Sequence, residues 1–198
     1  MARPAPWRKS SRPDTGRAPS LEGMMTNTTQ PAHGEHTDHG VPHGVTSLTP
    51  FIALTDAAGA IDFYTSVFGA KLLDRTEMPG PDGSPVVVHA TLEFGNGCLQ
   101  LGEVNPAYHL VGSPEGDDDC YSLGLYVPDV DAAVERAVGA GASVREDVNT
   151  FVSGDRYGSI RDPFGVRWSI MTRVEDLSPE ESSRRVAEWA ESMASGEA

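Results

Sequence analysis

An internal repeat constrains this chain more than any other feature. Leu54-Thr55-Asp56, an amphipathic stretch and then Phe68-Gly69-Ala70 return about 72 residues later as Val127-Pro128-Asp129 and Ala140-Gly141-Ala142. Each aspartate suits a helix N-cap, because its carboxylate can accept from an orphan backbone N–H of the first turn. The first copy predicts a helix over Ala57–Phe68, with Ile61, Tyr64 and Phe68 at i, i+3 and i+7 as the buried stripe. In the second copy Val130, Ala133, Val134 and Ala137 form that stripe. Gly69 and Gly141 stop the helices, since a C′ position favours the left-handed conformation. A strand precedes each helix, over 49–55 and 121–127. Three more follow: 70–77, 86–94 and Cys98–Glu103 in the first copy, then 143–148, 155–162 and 166–171 in the second. Pro79-Gly-Pro-Asp-Gly83 and Gly95-Asn-Gly97 are strong turn signals between the first set. The plan is βαβββ written twice, with modules at about 48–104 and 120–172 inside an α+β domain at 45–176.

The second module closes on Gly154-Asp-Arg-Tyr-Gly-Ser-Ile-Arg-Asp-Pro-Phe-Gly-Val-Arg-Trp-Ser-Ile170. Asp162-Pro163-Phe164-Gly165 reverses the chain: proline fixes its φ just after the opening aspartate, and glycine takes the positive φ that ends the turn. A strand–turn–strand unit is generic, but the full string is not. It resembles the closing hairpin of the glyoxalase/bleomycin-resistance/dioxygenase proteins, the vicinal-oxygen-chelate (VOC) superfamily, and within them it is most similar to the PhnB-like branch. The resemblance covers about residues 47–176. It implies two βαβββ modules pairing into an incomplete barrel around a concave pocket, to which this chain adds a C-terminal helix.

Charge narrows the classes of partner. The chain carries a formal −14, distributed as +1 over residues 1–44, −12 over 45–176 and −3 over 177–198. So acidic a domain argues against nucleic acid, whose phosphates need clustered lysine and arginine. It permits a cationic ligand, although solubility is the commoner meaning of surface acidity. Cys98 and Cys120 are the only cysteines and have no CxxC spacing, which predicts a reduced, cytoplasmic protein. No apolar run approaches the roughly 20 residues of a membrane span.

Residues 1–44 are rich in Pro, Ser, Thr, Gly and His and are expected to be disordered, having too few aliphatic side chains to offset backbone ordering. Met24-Met25 offers an internal start, which would make the residues before it, within 1–24, an addition to the natural protein. His33, His36, His39 and His43 can bind a divalent ion weakly, but their spacing matches no closed metal site. Between the modules, Glu115-Gly-Asp-Asp-Asp119 reads as a solvated loop, with a lid over a pocket as the sharper alternative. Residues 177–198 begin with Ser178-Pro-Glu-Glu181, a capping box with proline at N1, and continue as an amphipathic helix. Its stripe of Val186, Trp189, Ala190 and Met193 is expected to pack on the domain, with a dimer contact as the alternative.

Parity sorts the strand faces, because successive side chains point to opposite sides. Leu99 and Leu101 oppose Cys98, Gln100 and Gly102. Leu123, Leu125 and Val127 oppose Ser122, Gly124 and Tyr126. Trp168 and Ile170 oppose Arg167, Ser169 and Met171, and Ala90, Leu92 and Phe94 oppose His89, Thr91 and Glu93. One face of each strand is apolar and needs a helix; the other is mixed and can line a pocket. Metal-using members of the resembled family take His, Gln or Glu ligands from the first, fourth, fifth and eighth strands. Those positions fall here on Thr49, Gln100, Ser122 and Ser169. Hydroxyls and one amide suit Zn²⁺, Ni²⁺ or Fe²⁺ poorly, and the neighbours Pro50, Leu99, Leu123, Trp168 and Ile170 cannot ligate at all.

The expected function is therefore a glyoxalase- or bleomycin-resistance-like protein, metal-independent and without a cofactor, binding a small molecule in the concave pocket. Phe51, Thr91, Gln100, Ser122, Tyr126, Arg167 and Ser169 are the expected lining, in a homodimer. The alternative is a lyase, isomerase or dioxygenase-type enzyme. It would use His89 as base with Glu93 beside it, or a divalent metal held partly by Gln100. A second alternative is a non-catalytic interaction module. Arg156 and Arg161 can hold a carboxylate or phosphonate in a bidentate grip, or pair with Asp155, Asp162 or Glu175.

Overall fold

A computed structural model of the chain describes residues 30–196. A small hairpin comes first, β1 (Thr37–Asp38) against β2 (Val41–Pro42), inside the segment expected to be without structure. The rest of that expectation, residues 1–29, lies outside the described residues.

The first module runs β3 (Phe51–Leu54), α1 (Ala57–Phe68), β4 (Lys71–Pro79), β5 (Pro85–Glu93) and β6 (Cys98–Glu103). The second runs β7 (Ser122–Tyr126), α2 (Val130–Gly139), β8 (Ser143–Thr150), β9 (Asp155–Arg161) and β10 (Arg167–Arg173). Each folds to a four-stranded sheet of one topology, β3-β6-β5-β4 and β7-β10-β9-β8. In both, the first strand pairs parallel with the last and the remaining pairs are antiparallel. A parallel pair cannot be closed by a short turn, so the helix and two intervening strands supply the crossover. The repeat read in the sequence is thus a repeat of sheet topology.

Both N-caps form. Asp56 accepts from Gly59 N at 2.8 Å and Asp129 from Ala132 N at 3.0 Å. Gly69 ends α1 in the left-handed conformation at φ 72. The helices cover the apolar strand faces that parity identifies. Ile61, Tyr64 and Val67 of α1, with Val130, Ala133, Val134 and Ala137 of α2, share one core with Leu92, Leu101, Ile160, Trp168 and Ile170. At β6 the chain passes so close to β5 that only glycine fits: a Cβ on Gly102 would stand 2.5 Å from the Val88 carbonyl oxygen.

β4 and β8, each at one edge of its sheet, carry bulges at equivalent places, between Leu72 and Asp74 and between Val144 and Glu146. A bulge adds one residue to one strand and reverses the side-chain parity beyond it. Asp74 thereby comes opposite Thr91, and Glu146 opposite Ser159, each on the polar face.

The C-terminal helix α3 (Pro179–Ser195) starts as its capping residues predict, with Ser178 accepting from Glu181 N at 3.2 Å. It differs from expectation in its packing, since no residue of it is buried. It leans on the second module through the Trp189 ring against Phe151, at 5.0 Å between centroids, and through the Ser182 hydroxyl donating to the Ser153 carbonyl. Among the described residues no helix is long and apolar enough to cross a membrane.

Candidate functional site

The closing hairpin is held from inside the core. Asp162 Oδ1 accepts from Phe164 N and Val166 N, each at 2.9 Å, and fixes the turn. Its Oδ2 accepts from Trp168 Nε1 at 2.9 Å and from the Tyr64 hydroxyl of α1 at 2.7 Å. One buried carboxylate therefore ties the second module's last hairpin to the first module's helix. Burial holds Asp162 above its ordinary carboxylate value, and the bonds from Trp168 and Tyr64 offset only part of that rise. Burial, with Asp162 beside it, drives the Tyr64 phenol well above its ordinary value. This network is structural, and of it the sequence shows only the turn.

On the polar face of the first sheet, His89, Thr91, Glu93 and Gln100 line a cavity of about 570 Å³ with Asp74, Lys71 and the stretch Pro42 to Val45, where the leader meets the domain. His89 Nδ1 stands 3.2 Å from Asp74 Oδ1, and the Phe51 ring stacks near the imidazole at 6.2 Å. Glu93, the partner expected for His89, instead stands 3.9 Å from Lys71 Nζ. The β4 bulge explains the exchange, because it turns Asp74 onto the face that simple alternation assigns to Leu73. A carboxylate against one ring nitrogen fixes the imidazole's orientation and tautomer, the arrangement a general base requires.

The second sheet holds the other expected residues. Ser122 and Ser169 bond each other at 2.8 Å across β7 and β10. The Tyr126 hydroxyl donates to Asp155 Oδ1 at 3.3 Å. Arg167 donates to Ser159 Oγ at 3.0 Å and pairs with Glu146. Ser122 and Tyr126 also line a cavity of about 360 Å³ at the seam between the modules, beside Pro50, Phe94, Cys98 and Trp168. The nine expected site residues are thus spread over two sheets rather than gathered in one cavity: His89, Thr91, Glu93 and Gln100 line the first-sheet cavity, and Ser122 and Tyr126 the one at the seam. Arg156 pairs with Asp131 through two 2.6 Å bonds, a partner outside the three considered.

Three of the four positions at which the resembled family places metal ligands have other engagements. The Thr49 hydroxyl donates to the Thr46 carbonyl at 2.9 Å, Ser122 and Ser169 satisfy each other, and Gln100 lies on the other sheet. This donor set does not fit a transition-metal ion. Among the described residues the metal-capable cluster is instead His33, Asp38 and His39 in the leader, all exposed, with ligand atoms within 4.8 Å of one another.

A family model described as Glyoxalase/Bleomycin resistance protein/Dioxygenase superfamily matches residues 40–170. The Mycobacterium tuberculosis protein "Uncharacterized protein Rv0887c" is 35% identical over 159 residues, covering 76% of this chain and 88% of its own. A Mycobacterium bovis protein named "Putative glyoxylase CFP32" is 33% identical over 111 residues, covering 56% of this chain, which spans 39% of that longer protein. Among solved structures, a Bacillus cereus protein named "Putative 3-demethylubiquinone-9 3-methyltransferase, PhnB protein" matches 64% of this chain and 99% of its own at 19% identity and a TM-score of 0.50, a likeness of fold alone.

Proposed function

Because the chain belongs to the Glyoxalase/Bleomycin resistance protein/Dioxygenase superfamily, we propose that it binds a small organic molecule on the polar faces of its sheets without a metal. The observation that carries this reading is the first-sheet cavity. Its walls combine an oriented imidazole, a hydroxyl, two carboxylates and an amide, with an aromatic ring beside them. A few convergent polar groups in a concavity of a few hundred Å³ are what a small-molecule site needs. Metal independence is supported by the donor chemistry at Thr49, Gln100, Ser122 and Ser169. Placement in the PhnB-like branch is supported by the closing hairpin string. A homodimer is supported by the exposed apolar side of α3 at Trp189 and Met193. A cytoplasmic location is supported by the two unpaired cysteines.

A second reading, a lyase or isomerase with His89 as base, is favoured by the 3.2 Å contact to Asp74. In that case Asp74 takes the orienting role first expected of Glu93.

Two measurements test the proposal. Elemental analysis by mass spectrometry of the full chain, with His33, His36, His39 and His43 changed to Ala, should find no stoichiometric transition metal after mild loading. A stoichiometric metal overturns metal independence. A thermal-shift screen of small organic molecules should then give hits that Gln100→Ala abolishes. A library that shifts neither protein overturns the binding reading. Among hits, His89→Ala that keeps binding but loses turnover selects the enzyme.

A further inference from the structure

Three arginines on the polar face of the second sheet converge on a single carboxylate. Arg145 Nε stands 3.7 Å, Arg161 Nε 3.6 Å and Arg167 Nη1 3.5 Å from oxygens of Asp119, which ends the acidic linker between the modules. The Asp119 side chain is only 9% exposed and that of Arg161 13%. Yet the contact is electrostatic alone: Asp119 Oδ1 and Arg145 Nε are both buried without a hydrogen-bond partner. Guanidinium forks make their strong contacts with carboxylate or phosphate oxygens at about 2.7–2.9 Å in pairs. Asp119, with Asp117 on Arg145 and Glu146 on Arg167, balances the charge of this cage, but it takes no hydrogen bond from the cage and leaves the buried Arg145 Nε unused, and a buried donor left unused is costly.

The same arginines clasp the rest of the linker. Arg161 donates to the Pro114 carbonyl at 3.0 Å and to that of Gly116, and Arg145 donates to the Asp117 carboxylate and carbonyl at 3.3 and 3.2 Å. Beside the cage a groove of about 780 Å³ runs over the same sheet face, from Arg145 and Glu146 past Tyr157 to Met171 and Trp189.

We propose that Arg145, Arg161 and Arg167 form an oxyanion site that the chain fills with its own Asp119. Residues 113–120 are then a lid displaced by a ligand bearing a phosphate, phosphonate or carboxylate group, whose remainder lies in the adjoining groove. The proposal rests on the small-molecule reading above and names its ligand class. It also explains how so acidic a chain takes an anion: three guanidiniums are concentrated on one face, and the acidic lid leaves when the ligand arrives.

Calorimetric titration with inorganic phosphate at fixed ionic strength tests the site in the full chain. A lid closed nine-tenths of the time weakens apparent affinity about tenfold, so Asp119→Asn should bind phosphate about tenfold more tightly than wild type. Adding Arg167→Gln to that variant should abolish the binding. Hydrogen exchange reads the lid directly: saturating phosphate should speed exchange of wild-type amides 113–120, and Arg167→Gln should remove the effect. Affinity unchanged by Asp119→Asn, or insensitive to Arg167→Gln, overturns the site as adventitious ion binding only. If Asp119→Asn does not fold, the wild-type exchange measurement decides, and no phosphate-dependent change in 113–120 overturns the lid. Screening hits that depend on Gln100, combined with no phosphate effect, would leave the binding reading intact and remove this one alone.

Discussion

At the scale of the residue, Asp162 ties the second module's closing hairpin to the first module's helix. It accepts two backbone and two side-chain hydrogen bonds, and it joins β10 to α1. Asp162→Asn keeps one carbonyl oxygen but places an amide NH₂ where Oδ2 accepted from the Trp168 indole, leaving a buried donor facing a donor. The cost expected is about 2 kcal/mol, that of one unsatisfied buried polar group. Urea unfolding at neutral pH checks it, and a midpoint equal to wild type would show that the network carries no stability. The turn itself was legible, because Asp-Pro-Phe-Gly has one conformational reading. Its tie to Tyr64 was not, since the two residues lie 98 positions apart. Asp74 shows a different limit. Alternation along a strand is a dependable guide only while the register is unbroken, and the β4 bulge lies one residue before it. The same event at Val144–Glu146 hid the partner of Arg167. Faces were read correctly along β5, β6, β7 and β10, and partners were missed where an edge strand bulges, as at Asp74 and Glu146, or where a helix supplies them, as Asp131 does for Arg156.

At the scale of the element, α3 is built by local interactions and held by few others. Its capping residues were plain in the sequence, but a stripe of four apolar residues did not say what would cover it. The helix's own charges matter more for that reason. Arg184 and Arg185 bond the Glu181 carboxylate and hold its pKa down at about 2. A carboxylate depressed in the folded state contributes stability that is fully present above its unfolded value and is lost as pH falls through the folded one. The window here runs from the ordinary 4.5 down to about 2. Hydrogen-exchange protection over 182–195 should therefore fall across that interval while α1 stays protected, since elements with few buried contacts open first. Glu181→Gln should flatten the dependence. Wild-type protection that is constant from pH 4.5 to 2 would show that these pairs do not hold the helix.

At the scale of the whole molecule, two copies of one topology could behave as two units or as one. The core decides for one. Trp168 of the second module sits 5.2 Å from the Tyr64 ring, 4.9 Å from Phe68 and 5.8 Å from Phe94, all in the first module, and Phe164 packs edge-on to Phe63 at 5.9 Å. Neither module can keep its apolar face dry without the other. Joint burial of this kind makes unfolding all-or-none. In a Trp7→Phe/Trp189→Phe background, Trp168 fluorescence reports the seam and far-UV circular dichroism reports both modules. The two should trace one urea transition with a shared midpoint. Trp168→Ala should cost about 3–5 kcal/mol, as large aromatic deletions in a core do, and should lower that midpoint for both modules together. Fluorescence that changes before the dichroism would mean the modules part first and unfold afterwards. A cavity at their seam, such as the one lined by Ser122 and Tyr126, would then belong to a joint that opens, and a ligand bound there would be expected to stabilise the pairing rather than either module.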